Sequence, residues 1–328
     1  MTKRERLINA FNNEAVDRPP VGFWFHFLKE EDFGRGLEKP ELIAKNISSH
    51  KEFIEKADPD FVKIMSDGFF LYPSPVLRNL SSAQELKKLV PIGENHQWIK
   101  KQLEIVKAVT GFLQDTSSFY NVFSPATFLR IAITEEKLIK YFREDPEAIA
   151  FALEVIAQDL VVLSKSVIKE AGADGIYLSV QNPGNGIFTY DEYRKYITPS
   201  EKAVLASANK TGGYNILHCC GYNGNKNNLG VWQDYDAKAV NWAVAIENLD
   251  LAEGKKFFGD KAVIGGFDNR PDKLLHKGSR EEVENFTKAL IEKSGERGVI
   301  IGADCTIPKD ISLERLHWVK ETVRTYFS

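Results

Sequence analysis

His218 and Cys220 stand two residues apart in the run Ile216-Leu217-His218-Cys219-Cys220, and Cys305 closes another apolar run, Val299-Ile300-Ile301-Gly302-Ala303-Asp304-Cys305. In an extended strand, residues i and i+2 point to the same face. His218 and Cys220 can therefore aim together, while Cys219 points the other way. One imidazole and two thiolates are borderline-soft donors that suit Zn²⁺. Three protein ligands leave one position open, as in a catalytic rather than a structural zinc site. The competing reading is that the cysteines are small buried hydrophobes, which is the preferred one for Cys219.

Other ionisable residues fall at the ends of apolar runs. Glu247 follows residues 239–244 and reads either as a fourth, displaceable ligand or as a group behind the ligands or at a helix start. Asp67 ends residues 60–67 and is expected to handle substrate or a proton, the alternative being a solvated loop acid. His26 lies in Phe23-Trp24-Phe25-His26-Phe27 and shares a face with Trp24. It reads equally as a core histidine or a ligand-binding one. Asp268 reads as the cap of the turn that follows it.

These positions make sense together only if the runs are parallel strands. Eight such runs occur: residues 20–26, 60–67, 119–124, 175–181, 214–220, 239–244, 262–268 and 299–305. Helical stretches separate many of them. Residues 136–170 hold two helices divided at Asp145-Pro146, and residues 280–293 and 312–326 carry a helical apolar period with Ser312 suited to an N-cap. Strand–helix alternation implies right-handed parallel crossovers. The expected fold is α/β, a single (β/α)8 TIM barrel over 1–328 with an N-terminal helix (RERLINAFNNE) covering its bottom. An open doubly wound sheet is disfavoured because no Gly-x-Gly-x-x-Gly follows the first run. The C-terminal strand ends, where such barrels do chemistry, are then His26, Asp67, Ser124, Gln181, His218 with Cys220, Glu247, Asp268 and Cys305. A polar loop is expected over 223–228.

Composition narrows the setting. The 328 residues carry 43 Lys and Arg against 46 Asp and Glu, a net charge of −3. That balance offers no electrostatic reason for a nucleic-acid or membrane partner. Three cysteines make no disulfide framework, and neither a secretory signal nor a long apolar run is present, so the expected location is cytoplasmic.

At these residues the chain resembles the uroporphyrinogen decarboxylase superfamily. The likeness is carried by Arg18-Pro19-Pro20-Val21, Ser66-Asp67, Gly172-Ala173-Asp174-Gly175, His218-x-Cys220-Gly221, Gly265-Gly266-Phe267-Asp268 and Gly302-Ala303-Asp304-Cys305-x-x-Pro308. It implies a TIM barrel and one of two activities. The zinc-dependent methyltransferase branch carries His-x-Cys and a distant Cys as ligands, matched here by His218, Cys220 and Cys305, and Glu247 looks like the acidic residue that completes the resting site. That branch implies a thiol substrate and a methyl group from a methylated corrinoid on a partner protein, with Asp67 and His26 orienting substrate or accepting its proton. Cys305 departs from the branch's commoner Gly-Cys-Gly context. The decarboxylase branch uses no metal and binds an octa-acid tetrapyrrole through an Arg-Gln-x-Gly-Arg motif. Here Phe23-Trp24-Phe25-His26-Phe27-Leu28-Lys29 stands in its place, although Asp67 looks like the decarboxylase aspartate. The named strand ends hold carboxylates and no arginine, Arg130 being the nearest basic candidate, so an octa-acid would meet poor complementarity. A third reading is a binding scaffold without turnover.

Overall fold

Short β-branched and aromatic runs separated by helix-length connections pair in parallel, because a hairpin turn cannot join them. In the computed structural model, which describes residues 1–181, 187–221 and 224–328, seven such runs form one parallel sheet in chain order. They are β1 (Phe61–Ile64), β2 (Ser117–Phe123), β3 (Gly175–Val180), β4 (Ile216–Cys219), β5 (Ala239–Trp242), β6 (Ala262–Phe267) and β7 (Val299–Ala303). Each matches one of the expected strands from residue 60 onward. The sheet curls into a TIM-barrel-like fold with helices outside it. Of the loop expected over 223–228, Asn223 lies outside the described residues.

The first expected strand, 20–26, differs. It makes one parallel bridge, Val21 to Ile301. Ile301 N donates to Pro20 O (2.8 Å) and Gly22 N to Ile301 O (3.0 Å), and on the other side Asp60 N donates to Val21 O (2.9 Å). The segment thus fills the seam between β7 and β1 without becoming a ladder strand. Two causes are visible. Pro19 and Pro20 have no N–H to give, and after Gly22 the chain turns its aromatic residues inward. The approach is close: a Cβ on Gly302 would lie 2.7 Å from Gly22 O. Side chains fasten what the ladder does not. Arg18 donates to both Asp60 oxygens (2.6 and 2.9 Å), Arg6 Nη1 donates to Oδ1 (3.2 Å), and Val21 N donates to Oδ2 (2.7 Å).

Strand alternation divides the core into two layers. Phe61, Phe119, Tyr177, Ile216, Ala239 and Ile264 face the barrel interior with Trp24. Val62, Ile64, Val122, Leu178, Cys219 and Trp242 face the helical shell. The opening helix, Lys3–Phe11, is capped by Thr2 in a capping box and sets Phe11 against Phe119 and Tyr214 at the bottom. The paired helices Glu135–Glu144 and Pro146–Lys169 divide at Asp145, whose carboxylate accepts from Ala148 N. Arg280–Ser294 and Leu313–Tyr326 complete the expected set; Ser312 stands at the N-cap of the latter without a side-chain cap bond. Among the described residues, no helix is long and apolar enough to cross a membrane.

One shell residue gives the fold a measurable pH dependence. Glu201, in helix Thr198–Lys210, is fully buried and accepts from Tyr193 Oη (3.0 Å) and Tyr235 Oη (2.7 Å). Burial outweighs these donors and pushes its carboxyl up to about 7. A folded-state value above the unfolded one supplies stability that is complete below the unfolded pKa and is lost as pH rises through the folded one. Stability should therefore fall between about pH 4.5 and pH 7. In Glu201→Gln that fall should shrink by up to about 3 kcal/mol, read as urea midpoints at the two ends of the window.

Candidate metal centre and its pocket

His218 lies on β4 with its side chain inside the barrel, and Cys220 follows the strand with its N–H still bonded to Val180 O (3.0 Å). Cys305 lies two residues past the end of β7. Their donor atoms all fall within 4.8 Å of one another, and they form the one group of three or more His, Cys, Asp or Glu donors with such spacing among the described residues. Cys220 Sγ is 3.8 Å from Cys305 Sγ, and Cys305 Sγ is 3.3 Å from His218 Nε2. Two thiolates bound at about 2.3 Å to one tetrahedral ion stand about 3.8 Å apart. The donor set and its spacing therefore fit a zinc ion. Cys219, one residue away, is buried in the shell, and burial pushes its thiol well above the ordinary range. Of the two sulfurs, Cys305 is the more acidic, favoured by a hydrogen bond from Cys220 and by nearby Lys63.

The imidazole is held from behind. His218 Nδ1 donates to Asn241 Oδ1 (2.5 Å), which also accepts from Tyr177 Oη (3.0 Å). Asn241 Nδ2 donates to Ile264 O (2.8 Å) and Ala303 O (3.2 Å), which fixes the amide orientation. The proton is thereby kept on Nδ1, and the Nε2 lone pair is turned toward Cys305. Sequence reading passed over Asn241. Its signal was a polar amide in mid-strand, where parallel strands are apolar. Asp304 was also passed over. It is buried, accepts from Ala245 N (2.9 Å) and Gly266 N (3.3 Å), and so ties the loop before Cys305 to two neighbouring strand ends. Burial pushes its carboxyl up to about 7.

Glu247 is outside the donor group. Its Oε1 accepts from Asn227 N (2.9 Å) and Nδ2 (2.8 Å), and Asn227 Nδ2 also reaches Cys220 O (3.0 Å). Glu247 thus braces the backbone of Cys220 through Asn227, and burial raises its carboxyl. Asp67 is not the solvated loop acid of the alternative reading. It is fully buried, with Oδ2 accepting from Phe27 N (2.7 Å) and Leu28 N (3.1 Å) and Oδ1 2.8 Å from His26 Nδ1. His26, which it holds, has its ring lining the pocket between Phe33 and Phe70. Asp268 caps its turn as expected, accepting from Arg270 N (3.0 Å). Ser124 caps helix Pro125–Ile133, and Gln181 accepts from Arg130 (2.5 Å).

The trio forms part of the wall of a cavity of about 560 Å³ whose wall also includes Phe33, Met65, Phe70 and Phe123. Its charged lining reverses the sequence expectation. Lys63, Arg130 and Arg270 line it, and no carboxylate among the described residues does. The acids named at the strand ends are turned into backbone and side-chain bonds behind the wall, and the cations arrive from mid-strand (Lys63), from a helix (Arg130) and from a loop (Arg270). Sequence reading named only Arg130.

The uroporphyrinogen decarboxylase (URO-D) family model matches residues 71–326. The chain belongs to this family. The match spans His218, Cys220, Glu247 and Cys305 and begins after His26, Lys63 and Asp67. No curated protein matches the chain. Among solved structures, a methyltransferase from Methanosarcina mazei is similar with a TM-score of 0.72 at 17% identity, over 100% of both chains. A beta-mannanase from the blue mussel Mytilus edulis is similar with a TM-score of 0.54 at 11% identity, over 93% of this chain and 92% of that one. At such identities these likenesses show the fold alone.

Proposed function

We propose that this URO-D-family chain is a zinc-dependent methyltransferase that moves a methyl group from a methylated corrinoid, carried on a partner protein, to a small thiol. The observation that carries this reading is the His218, Cys220, Cys305 trio at the wall of the pocket, with one nitrogen and two sulfurs at tetrahedral spacing. Zinc in this trio would supply Lewis acidity that keeps a thiol deprotonated near neutral pH. The protein's own residues supply the rest. Asn241 holds the His218 ring and its tautomer. Asp67 holds His26 by Nδ1, so that Nε2 is presented to the pocket as the acceptor for the thiol proton. Phe33 and Phe70 pack against the His26 ring. Glu247 acts by bracing Cys220 through Asn227 and is available to the site if that loop shifts.

The test is metal content combined with turnover. The protein purified from zinc-replete medium should hold one zinc per chain and methylate 2-mercaptoethanol from methylcobalamin. Chelation should abolish the activity and zinc should restore it. Absence of bound zinc, or turnover unaffected by chelation, overturns the reading.

A second reading, metal-independent decarboxylation of uroporphyrinogen, is favoured by one observation: Lys63, Arg130 and Arg270 line the pocket. Against it, both Asp67 oxygens are committed to His26, Phe27 and Leu28 rather than to the cavity. It requires chelator-insensitive release of carbon dioxide.

A further inference from the structure

Lys63 occupies an unusual place. It sits on β1, paired in register with Phe119 of β2, with its side chain in the barrel interior. Only 5% of its surface is exposed. An interior lysine replaces what would ordinarily be a branched apolar residue in the packed layers of such a barrel. Its Nζ lies 4.2 Å from the centre of the Tyr177 ring and 5.2 Å from that of Trp24, and it borders the same cavity as Cys220 and Cys305. Among the described residues no carboxylate lies within ion-pair distance and no acceptor is hydrogen-bonded to it. The other two cations of the wall differ: Arg130 binds Gln181 and Arg270 binds Asp268. Burial lowers the Lys63 ammonium to about 8, opposed by the negative charge of Cys305, Cys220 and Asp67.

A buried ammonium without a partner is costly unless a negative charge joins it. The two aromatic rings offset part of that cost. The rest requires an anion in the cavity. Two thiolates and a neutral imidazole balance a divalent ion, so the trio with its metal carries no net charge. An added thiolate makes the assembly negative by one, and Lys63 offers the matching positive charge.

We propose that Lys63 is the counter-charge for the sulfur of the acceptor thiol, binding it as a thiolate beside the trio. This rests on the zinc-thiol reading above. On binding, the S–H bond breaks with its electron pair left on sulfur, and the proton leaves to solvent by way of His26. Lys63 keeps its own proton throughout.

The experiment uses the zinc-loaded full chain and 2-mercaptoethanol, a thiol with no charged tail. Calorimetry in two buffers of different ionisation heat gives affinity and protons released. Wild type should bind with release of one proton. Lys63→Met, which keeps the stem packed on Tyr177 and Trp24, should retain one zinc per chain and bind about tenfold to a hundredfold more weakly. Lys63→Arg should recover part of the loss. If Lys63→Met fails to fold, Lys63→Gln gives the same comparison with a polar head. Equal affinity in wild type and the neutral variant overturns the proposal. So does a loss confined to 3-mercaptopropionate, which would make Lys63 a partner for the tail. No binding to zinc-loaded wild type overturns both this proposal and the thiol reading, whereas tight wild-type binding that ignores Lys63 overturns this one alone.

Discussion

Cys219→Ser and Cys220→Ser are expected to have opposite consequences although the residues are adjacent. Cys220 is half-buried at the cavity, and its sulfur belongs to the trio. Losing a ligand should weaken metal binding by more than the roughly 10- to 100-fold that follows loss of a residue bracing a ligand. Methyl transfer should fall at least about a hundredfold with it. The barrel should stay folded, because the serine hydroxyl is near solvent and fills almost the same space. Cys219 is fully buried between Leu217, Trp242 and the outer helices. A hydroxyl there meets an apolar shell and should cost about 1–3 kcal/mol of stability, while zinc stoichiometry is kept. Metal analysis and urea denaturation of both variants read the contrast directly. Loss of zinc in Cys219→Ser would mean that the strand register assigned here is off by one residue.

Asp60→Ala is expected to be the most destabilising single change. Its carboxylate accepts two bonds from Arg18, one from Arg6 and one from Val21 N, and it is fully buried. Arg6 and Arg18 are themselves nearly buried, so removing Asp60 leaves two guanidinium groups without their shared partner. Breaking a buried pair from one side costs about 3–5 kcal/mol. Asp60 is at the bottom of the barrel, away from the metal trio, so metal affinity should be unchanged at a temperature where the variant remains folded. Denaturant titration gives the stability, and a zinc competition assay gives the affinity. A wild-type midpoint would show that the seam is held by other contacts.

The strands were legible because parallel strands buried on both faces read as continuous apolar runs. Residues 60–67 and 299–305 show this well: each begins a ladder within one residue of the expected start and ends in a polar residue near the site. The trio was legible for the same reason, since strand alternation alone separates Cys220 from Cys219. Residues 20–26 read as a full strand from their aromatic richness, but Pro19 and Pro20 offer no N–H to a ladder. The charge of the pocket was not legible at all. Lys63 reads in sequence as a lone interruption in Phe-Val-Lys-Ile, and nothing local says that it points inward. Likewise the bonds of Asp67 and Asp304 depend on backbone N–H groups supplied by distant segments, Phe27 with Leu28 and Ala245 with Gly266. Such partners leave no trace in side-chain pattern.

The bridge between Val21 and Ile301 also sets an order of events during synthesis. Strands β1 to β6 can pair one after another as they leave the ribosome, each with the strand made before it. The seam cannot close until β7 emerges, because its other side, at Val21, was made before β1. A contact between segments so far apart in sequence carries a large loop-closure cost and forms late. Cys305 follows β7 by two residues, so the last donor of the trio arrives with the strand that shuts the barrel. A nascent chain holding His218 and Cys220 alone offers a metal only two donors. Zinc capture should therefore wait for β7 and Cys305, and ribosome-bound intermediates halted before residue 299 should hold none.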